Sequence, residues 1–182
     1  DRQRSDVARY TVRTEDALEV QRIVKDCLDW WDKNLEDSFS NLGLPYEDTK
    51  VNNAKNVQAP ARDVVYKVGS KLSERFKVAV QKLETTTFGL LYAIFASVLH
   101  RIGDVTDIVI GPPVSVRNDD GTYGLCGPFI NTIPLRVQLD SERDTFFDLV
   151  KKCLSTTIRG TLHSATPYAD ILRKTMVMSK SV

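Results

Sequence analysis

At 182 residues, with 42% apolar and 27% charged side chains, the chain has the make-up of one globular domain large enough to bury a core. Lys and Arg number 25 against 24 Asp and Glu, so no strong field favours nucleic acid or an anionic membrane as partner. The longest apolar run, Phe88 to Leu99, is too short to span a bilayer. The opening Asp1-Arg2-Gln3-Arg4 lacks a signal segment, and three cysteines without metal-ligand spacing suit a reducing, cytoplasmic setting.

The first element is a helix. Thr14 with Glu15 and Asp16 reads as an N-cap followed by acids in the first turn. Apolar residues at Leu18, Ile23, Cys27, Leu28, Trp31 and Leu35 then keep helical spacing. Glu36 to Ala61 dissolves into Ser, Asn, Gly, Pro and charges and reads as a long surface connection. The chain therefore divides into an N-terminal helical segment (1–36), a connecting loop (37–61) and a body (62–182). Arg62 to Gly69, centred on Val64-Val65-Tyr66, predicts a short strand. Ser70 caps a predicted helix over Lys71 to Leu83, with Leu72, Phe76, Ala79, Val80 and Leu83 inward. Thr85-Thr86-Thr87 caps the strongest helix, Phe88 to Ile102, whose stripe Phe88, Leu91, Phe95, Val98 and Ile102, widened by Leu90, Ile94 and Leu99, leaves it nearly apolar all round and should bury it against a sheet, with Gly103 as its stop. Strands are expected at Asp107–Ile110, at Val114–Arg117 and over Phe129–Val137. Thr145 then caps a helix from Phe146 to Leu162, and a short helix runs from Tyr168 to Lys174. Helices alternating with strands point to an α/β sandwich whose sheet is incomplete here.

The chain is organised around Asp107 to Val137. The turn-rich Asn118-Asp119-Asp120-Gly121 separates its strands, and a polar pair, Asn131-Thr132, interrupts the apolar strand Phe129–Val137. Such a pair is either a working surface or a satisfied internal hydrogen bond.

Gly127-Pro128-Phe129-Ile130-Asn131-Thr132 with Arg136 resembles the G-x-F-V-N-T-x-x-x-R motif of the condensation domains of nonribosomal peptide synthetases. Val109-Ile110-Gly111-Pro112-Pro113-Val114-Ser115-Val116-Arg117-Asn118 is similar to that family's V-x-G-x-P-V-x-x-R-N segment. Leu99-His100-Arg101 and Trp30-Trp31 with Leu35 fall on two further features, L-H-R and Y-W-x-x-x-L. His163 to Tyr168 sits where the family has H-Q-D-x-P-F, departing from it at Ser164, Ala165 and Tyr168. The resemblance implies a chloramphenicol acetyltransferase-like two-layer sandwich, here the C-terminal subdomain of a two-lobed condensation domain. It implies amide-bond (or ester or cyclising) formation between thioesters on the phosphopantetheine arms of donor and acceptor carrier proteins, with no cofactor bound directly. The catalytic H-H-x-x-x-D-G belongs to the N-terminal lobe, and this chain has no His-His pair, so it is expected to be a fragment without a catalytic residue of its own, inactive alone. Gly127, Phe129, Asn131, Thr132, Arg117 and Asn118 are by resemblance the tunnel and floor positions.

Plainer roles compete at single residues. His100 with Asp104 formally reads H-x-x-x-D, but lies at a helix C-terminus where a histidine meets the helix dipole. His163 reads as helix-end packing, Cys126 as a small buried residue, Trp30 and Trp31 as core, Asp119-Asp120 as a turn rather than a metal loop, and Arg136 as half of a structural salt bridge. Two other functions share these residues: a non-catalytic condensation-like docking module, and an acyl-coenzyme A-dependent acyltransferase of the same superfamily.

Overall fold

The computed structural model describes residues 14–38, 42, 64–117 and 124–179. Helix α1 spans Thr14–Leu35, α2 Ser70–Lys82 and α3 Thr87–Gly103. Four short strands follow: β1 Asp107–Ile110, β2 Pro113–Ser115, β3 Ile130–Thr132 and β4 Leu135–Gln138. Helix α4 spans Phe146–Leu162 and α5 Tyr168–Ser179. β1 pairs with β4, and β2 pairs antiparallel with β3.

Local chemistry explains the helix starts. The Thr86 hydroxyl accepts the Gly89 N–H at 2.9 Å and so caps α3. At α4, Thr145 and Asp148 cap reciprocally. Both the N–H and the hydroxyl of Thr145 donate to Asp148 Oδ2, at 2.9 and 2.5 Å, and the Asp148 N–H returns to Thr145 Oγ1 at 3.3 Å. α2 departs from expectation, because its N-cap is Gly69 rather than Ser70 and no side-chain bond caps it. Helix α3 runs one residue past Ile102 and is closed by Asp104 in the left-handed region (φ 49°) instead of by Gly103. Gly103 serves a different purpose, since a β-carbon there would run into the Leu42 carbonyl oxygen. α5 continues to Ser179, beyond the expected Lys174.

Three expectations about strands and faces are overturned. Residues 64–69 form no strand, and Val64, Val65 and Tyr66 stand in solvent; ladder bonds need a neighbouring edge, which propensity cannot supply. The single strand expected over Phe129–Val137 is two, broken at Ile133-Pro134 where proline has no N–H to give a ladder. On α3, Leu90 and Leu99 of the expected inward face are buried together with Gly89, Tyr92, Ala93 and Ala96, whereas Phe88, Leu91, Ile94, Phe95, Val98 and Ile102 are exposed. The buried stripe carries the small residues, which let neighbouring elements come close. α2 likewise buries nothing fully, and its Leu72 is exposed.

The chain divides into two compact units. One comprises Asp1–Ser38, Val109–Arg136 and Thr156–Val182, and the other Phe39–Ile108 and Val137–Ser155. The first packs Cys27, Trp31, Leu35, Ile133, Leu135 and Ile171. In it Gly160 leaves room for its neighbours, because a β-carbon would sit 2.5 Å from Leu135 Cδ2 and 3.4 Å from both Ile133 and Trp31. The second packs Leu90, Tyr92, Ala93, Ala96, Leu99, Ile108, Val137, Leu149, Val150 and Cys153.

Candidate functional site

Most of the motif positions fall in the first unit, around the β2–β3 pair. Its register sets Pro113 opposite Thr132, Val114 opposite Asn131 and Ser115 opposite Ile130. The ladder is prolonged at both ends by Val116 N–H to Phe129 O (3.1 Å) and Ile133 N–H to Pro112 O (3.2 Å).

Asn131 is the hub. Its Nδ2 donates to the carbonyls of Ser164 (2.9 Å) and Thr166 (2.7 Å). Its Oδ1 accepts the N–H groups of Thr132 (2.9 Å) and Tyr168 (3.2 Å). A side-chain amide has two donors and two lone pairs, so its capacity is full. The polar pair in the strand therefore ties β3 to the turn between α4 and α5, where Ser164 and Thr166 are buried. Local spacing gave no sign of this link, because the partners stand 33 to 37 residues away. Both acceptors in the turn are main-chain carbonyls, so these bonds do not depend on which side chains stand at 164 and 165.

The same turn is anchored from α1. Trp31, 1% exposed, donates its indole N–H to His163 O at 2.9 Å. The Trp30 ring stacks on the His163 imidazole at 4.0 Å and 6°. His163 Nδ1 meets the Arg159 carbonyl at 2.8 Å, and as a carbonyl only accepts, that nitrogen carries the proton. His100 is held in the same way, Nδ1 to Val105 O at 2.8 Å across the end of α3. Arg136 reaches back to α1. Its Nη1 donates to Asn34 O (3.0 Å) and Glu36 O (2.8 Å), capping the C-terminal end of α1, where carbonyls lack helical partners.

Arg117 and Phe129 form a second cluster. The guanidinium lies 4.0 Å over the Phe129 ring and its Nη2 donates to Leu125 O at 3.0 Å. A β-carbon on Gly127 would press on that ring at 3.2 Å. Thr132 is half-buried, its methyl close to Gly111. Asn118 and the Asp119-Asp120-Gly121 turn lie outside the described residues. Cys126 is exposed, not buried as expected, since a thiol in this connecting segment has no core above it.

Electrostatics points to structure more than to chemistry. Burial pushes the Cys153 thiol up to about 12 and also raises Cys27, where a hydrogen bond with Thr166 acts in the opposite direction. The hydrogen bond from Lys174 holds the Asp29 carboxyl below its usual range. Among the described residues no three His, Cys, Asp or Glu side chains are grouped to hold a metal ion. No single helix among them is long and apolar enough to cross a membrane.

A family model described as condensation domain matches residues 1–181. The chain is 31% identical over 145 residues to a bassianolide nonribosomal cyclodepsipeptide synthetase of Beauveria bassiana, covering 80% of this chain and 4% of that protein. It is 30% identical over 170 residues to an enniatin synthase of Fusarium equiseti, covering 93% of this chain and 5% of that protein. The chain thus spans a few per cent of the length of these curated relatives. Among solved structures, the X-domain from teicoplanin biosynthesis superposes with a TM-score of 0.72 at 22% identity, over 89% of this chain and 36% of that one. The condensation domain of the monacolin K polyketide synthase MokA gives 0.65 at 19%, over 88% of this chain and 37% of that one. At these identities the likeness is one of fold, and it is the fold of condensation domains.

Proposed function

The chain belongs to the condensation-domain family, and from that premise we propose that it forms the C-terminal lobe of a condensation domain in a nonribosomal peptide synthetase. The observation that carries this reading is the family match across residues 1–181. In the division we favour, residues 62–182 are the body of the lobe and residues 1–36 lead into it through the connecting loop 37–61.

The reaction is direct attack of an acceptor nucleophile on the thioester carbonyl of a donor, each held on the phosphopantetheine arm of a carrier protein. The amine forms the new C–N bond, the thiolate of the donor arm leaves, and the amine proton passes to a histidine of the N-terminal lobe. No acyl-enzyme forms, so no nucleophile is required of this chain. Phosphopantetheine arrives on the partners, and no cofactor is held here directly. The partners are the N-terminal lobe and the donor and acceptor carrier proteins, in the cytoplasm. Gly127, Phe129, Asn131, Thr132, Arg117 and Asn118 lie toward the tunnel and its floor. Within that set Asn131 acts by holding the Ser164–Tyr168 turn, since its amide has no bonding position left for substrate.

The test is complementation. Incubated alone with carrier-loaded donor and acceptor, the chain should form no amide or ester product. Joined to an N-terminal lobe bearing H-H-x-x-x-D-G, it should turn over, and a His→Ala change in that lobe should abolish product. Turnover by the isolated chain, or a folded two-lobed protein whose product survives loss of that histidine, overturns the reading.

A further inference from the structure

Two motif segments that stand apart in the sequence meet at one corner of the first unit, where the chain enters β3. Arg117, two residues past β2, is half-buried and lays its guanidinium 4.0 Å over the Phe129 ring. Its Nη2 donates to Leu125 O at 3.0 Å, and its own N–H donates to Ser115 Oγ at 3.3 Å. Phe129 is held through the main chain as well. Its carbonyl accepts the Val116 N–H at 3.1 Å, and its N–H donates to Gly127 O at 3.0 Å. That last bond closes a γ-turn with Pro128 at its centre, where a ring-locked φ is close to the value the turn needs. Gly127 completes the corner, because a β-carbon there would lie 3.2 Å from Phe129 Cε2.

We propose that Arg117 is a positioning residue that fixes the segment Leu125–Phe129 against β2 and so sets where β3 begins, and that it binds neither a substrate carboxylate nor the phosphate of a carrier arm. The geometry separates these roles. An anion-binding arginine presents the edge of its fork to two oxygens. Here the ring covers one face of the guanidinium and Nη2 is bonded to a main-chain carbonyl, contacts that need the planar shape as well as the charge. The neighbouring residue types follow from one requirement, a ring held under the guanidinium: Gly127 clears its edge, Pro128 turns the chain and Phe129 supplies the face. β3 is then pinned at its entry by Arg117 and along its length by Asn131, which ties it to the Ser164–Tyr168 turn. As a role in the reaction this rests on the lobe reading above; as a statement about the corner it does not.

Hydrogen exchange of the full 182-residue chain tests the corner directly, because the Val116 amide reports on its bond to Phe129 O and the Phe129 amide on its bond to Gly127 O. Arg117→Lys keeps the charge, but one ammonium cannot both cover the ring and donate to Leu125 O. Both amides should therefore exchange about tenfold faster in that variant, with the helical circular dichroism unchanged. Phe129→Leu should do the same, and the two changes together should add little to either alone. Phe129→Tyr, which keeps the ring face, should match the parent. In a two-lobed protein bearing H-H-x-x-x-D-G, Arg117→Lys should lower kcat about tenfold, while KM for the carrier-loaded substrates stays within about twofold at low and high salt. Parent-like exchange in Arg117→Lys, or additive losses in the double variant, overturns the proposal. So does a lysine variant that turns over like the parent, or one whose loss lies in KM and varies with salt, the signature of a bound anion. A two-lobed parent without turnover would count against the lobe reading alone, and the exchange results would still decide the corner.

Discussion

Each bonding position of the Asn131 amide is occupied by main-chain groups, three of them in the turn after α4. Removing the amide leaves two half-buried carbonyls and two N–H groups to find water, and an unsatisfied buried polar group costs on the order of 1–3 kcal/mol. Asn131→Ala should therefore lower stability by about 2–4 kcal/mol in urea titration. Asn131→Asp, which retains the acceptors but cannot donate to Ser164 and Thr166, should not rescue it. A loss below about 0.5 kcal/mol, the scale of an ordinary surface substitution, would remove Asn131 from the centre of the fold. The thiols give a second residue-scale measurement. Cys126 is exposed, whereas Cys27 and Cys153 are buried with raised pKa values. A thiolate is the reactive form, so a thiol reagent at neutral pH should label Cys126 rapidly in the native chain and the other two only on unfolding.

At the scale of elements, the start of α4 carries a pH dependence whose sign is fixed. Bonds from the hydroxyl and N–H of Thr145 hold the Asp148 carboxyl below its usual range, and the Asp140 N–H with Lys152 does the same for Asp144. A group with a depressed folded-state pKa contributes stability that is complete above the unfolded value, about 4, and is lost as pH falls through the folded value. Thermal unfolding should therefore drop in temperature below about pH 4, and Asp148→Asn should flatten part of that acid limb. An unchanged limb in the variant would show the cap to be energetically silent. Helix α3 gives a different test. Leu91 and Phe95 are 51% exposed, so Lys at either position should leave helix content intact and reduce binding of an apolar dye such as ANS. Had that stripe faced the core, a buried charge would cost several kcal/mol and unfold the chain.

For the whole molecule, apolar surface stays exposed among the described residues, most visibly on the outer stripe of α3 and in the segment 64–68. On the proposed reading as a C-terminal lobe, such exposed apolar patches are where an N-terminal lobe would pack. The isolated chain should accordingly yield no condensation product, and its ANS fluorescence should fall when an N-terminal lobe is supplied. The family, the fold class and most element positions were legible in sequence because they rest on local patterns: Thr86 and Thr145 as caps, the 3–4 spacing of α1, and the G-P-F-I-N-T run.

Other features were decided by pairings between residues far apart in the chain. Both stripes of α3 are apolar, so periodicity alone could not choose between them. The choice fell to the small residues Gly89, Ala93 and Ala96, which permit close packing. Val64–Val68 has strand propensity, but a strand exists only where another edge completes its hydrogen bonds. Asn131 was open between binding and support until its partners in the Ser164–Tyr168 turn were brought beside it. Short-range chemistry is written in neighbouring residues. Which face is buried, and which polar group is used up, depends on contacts that form only when the chain has folded.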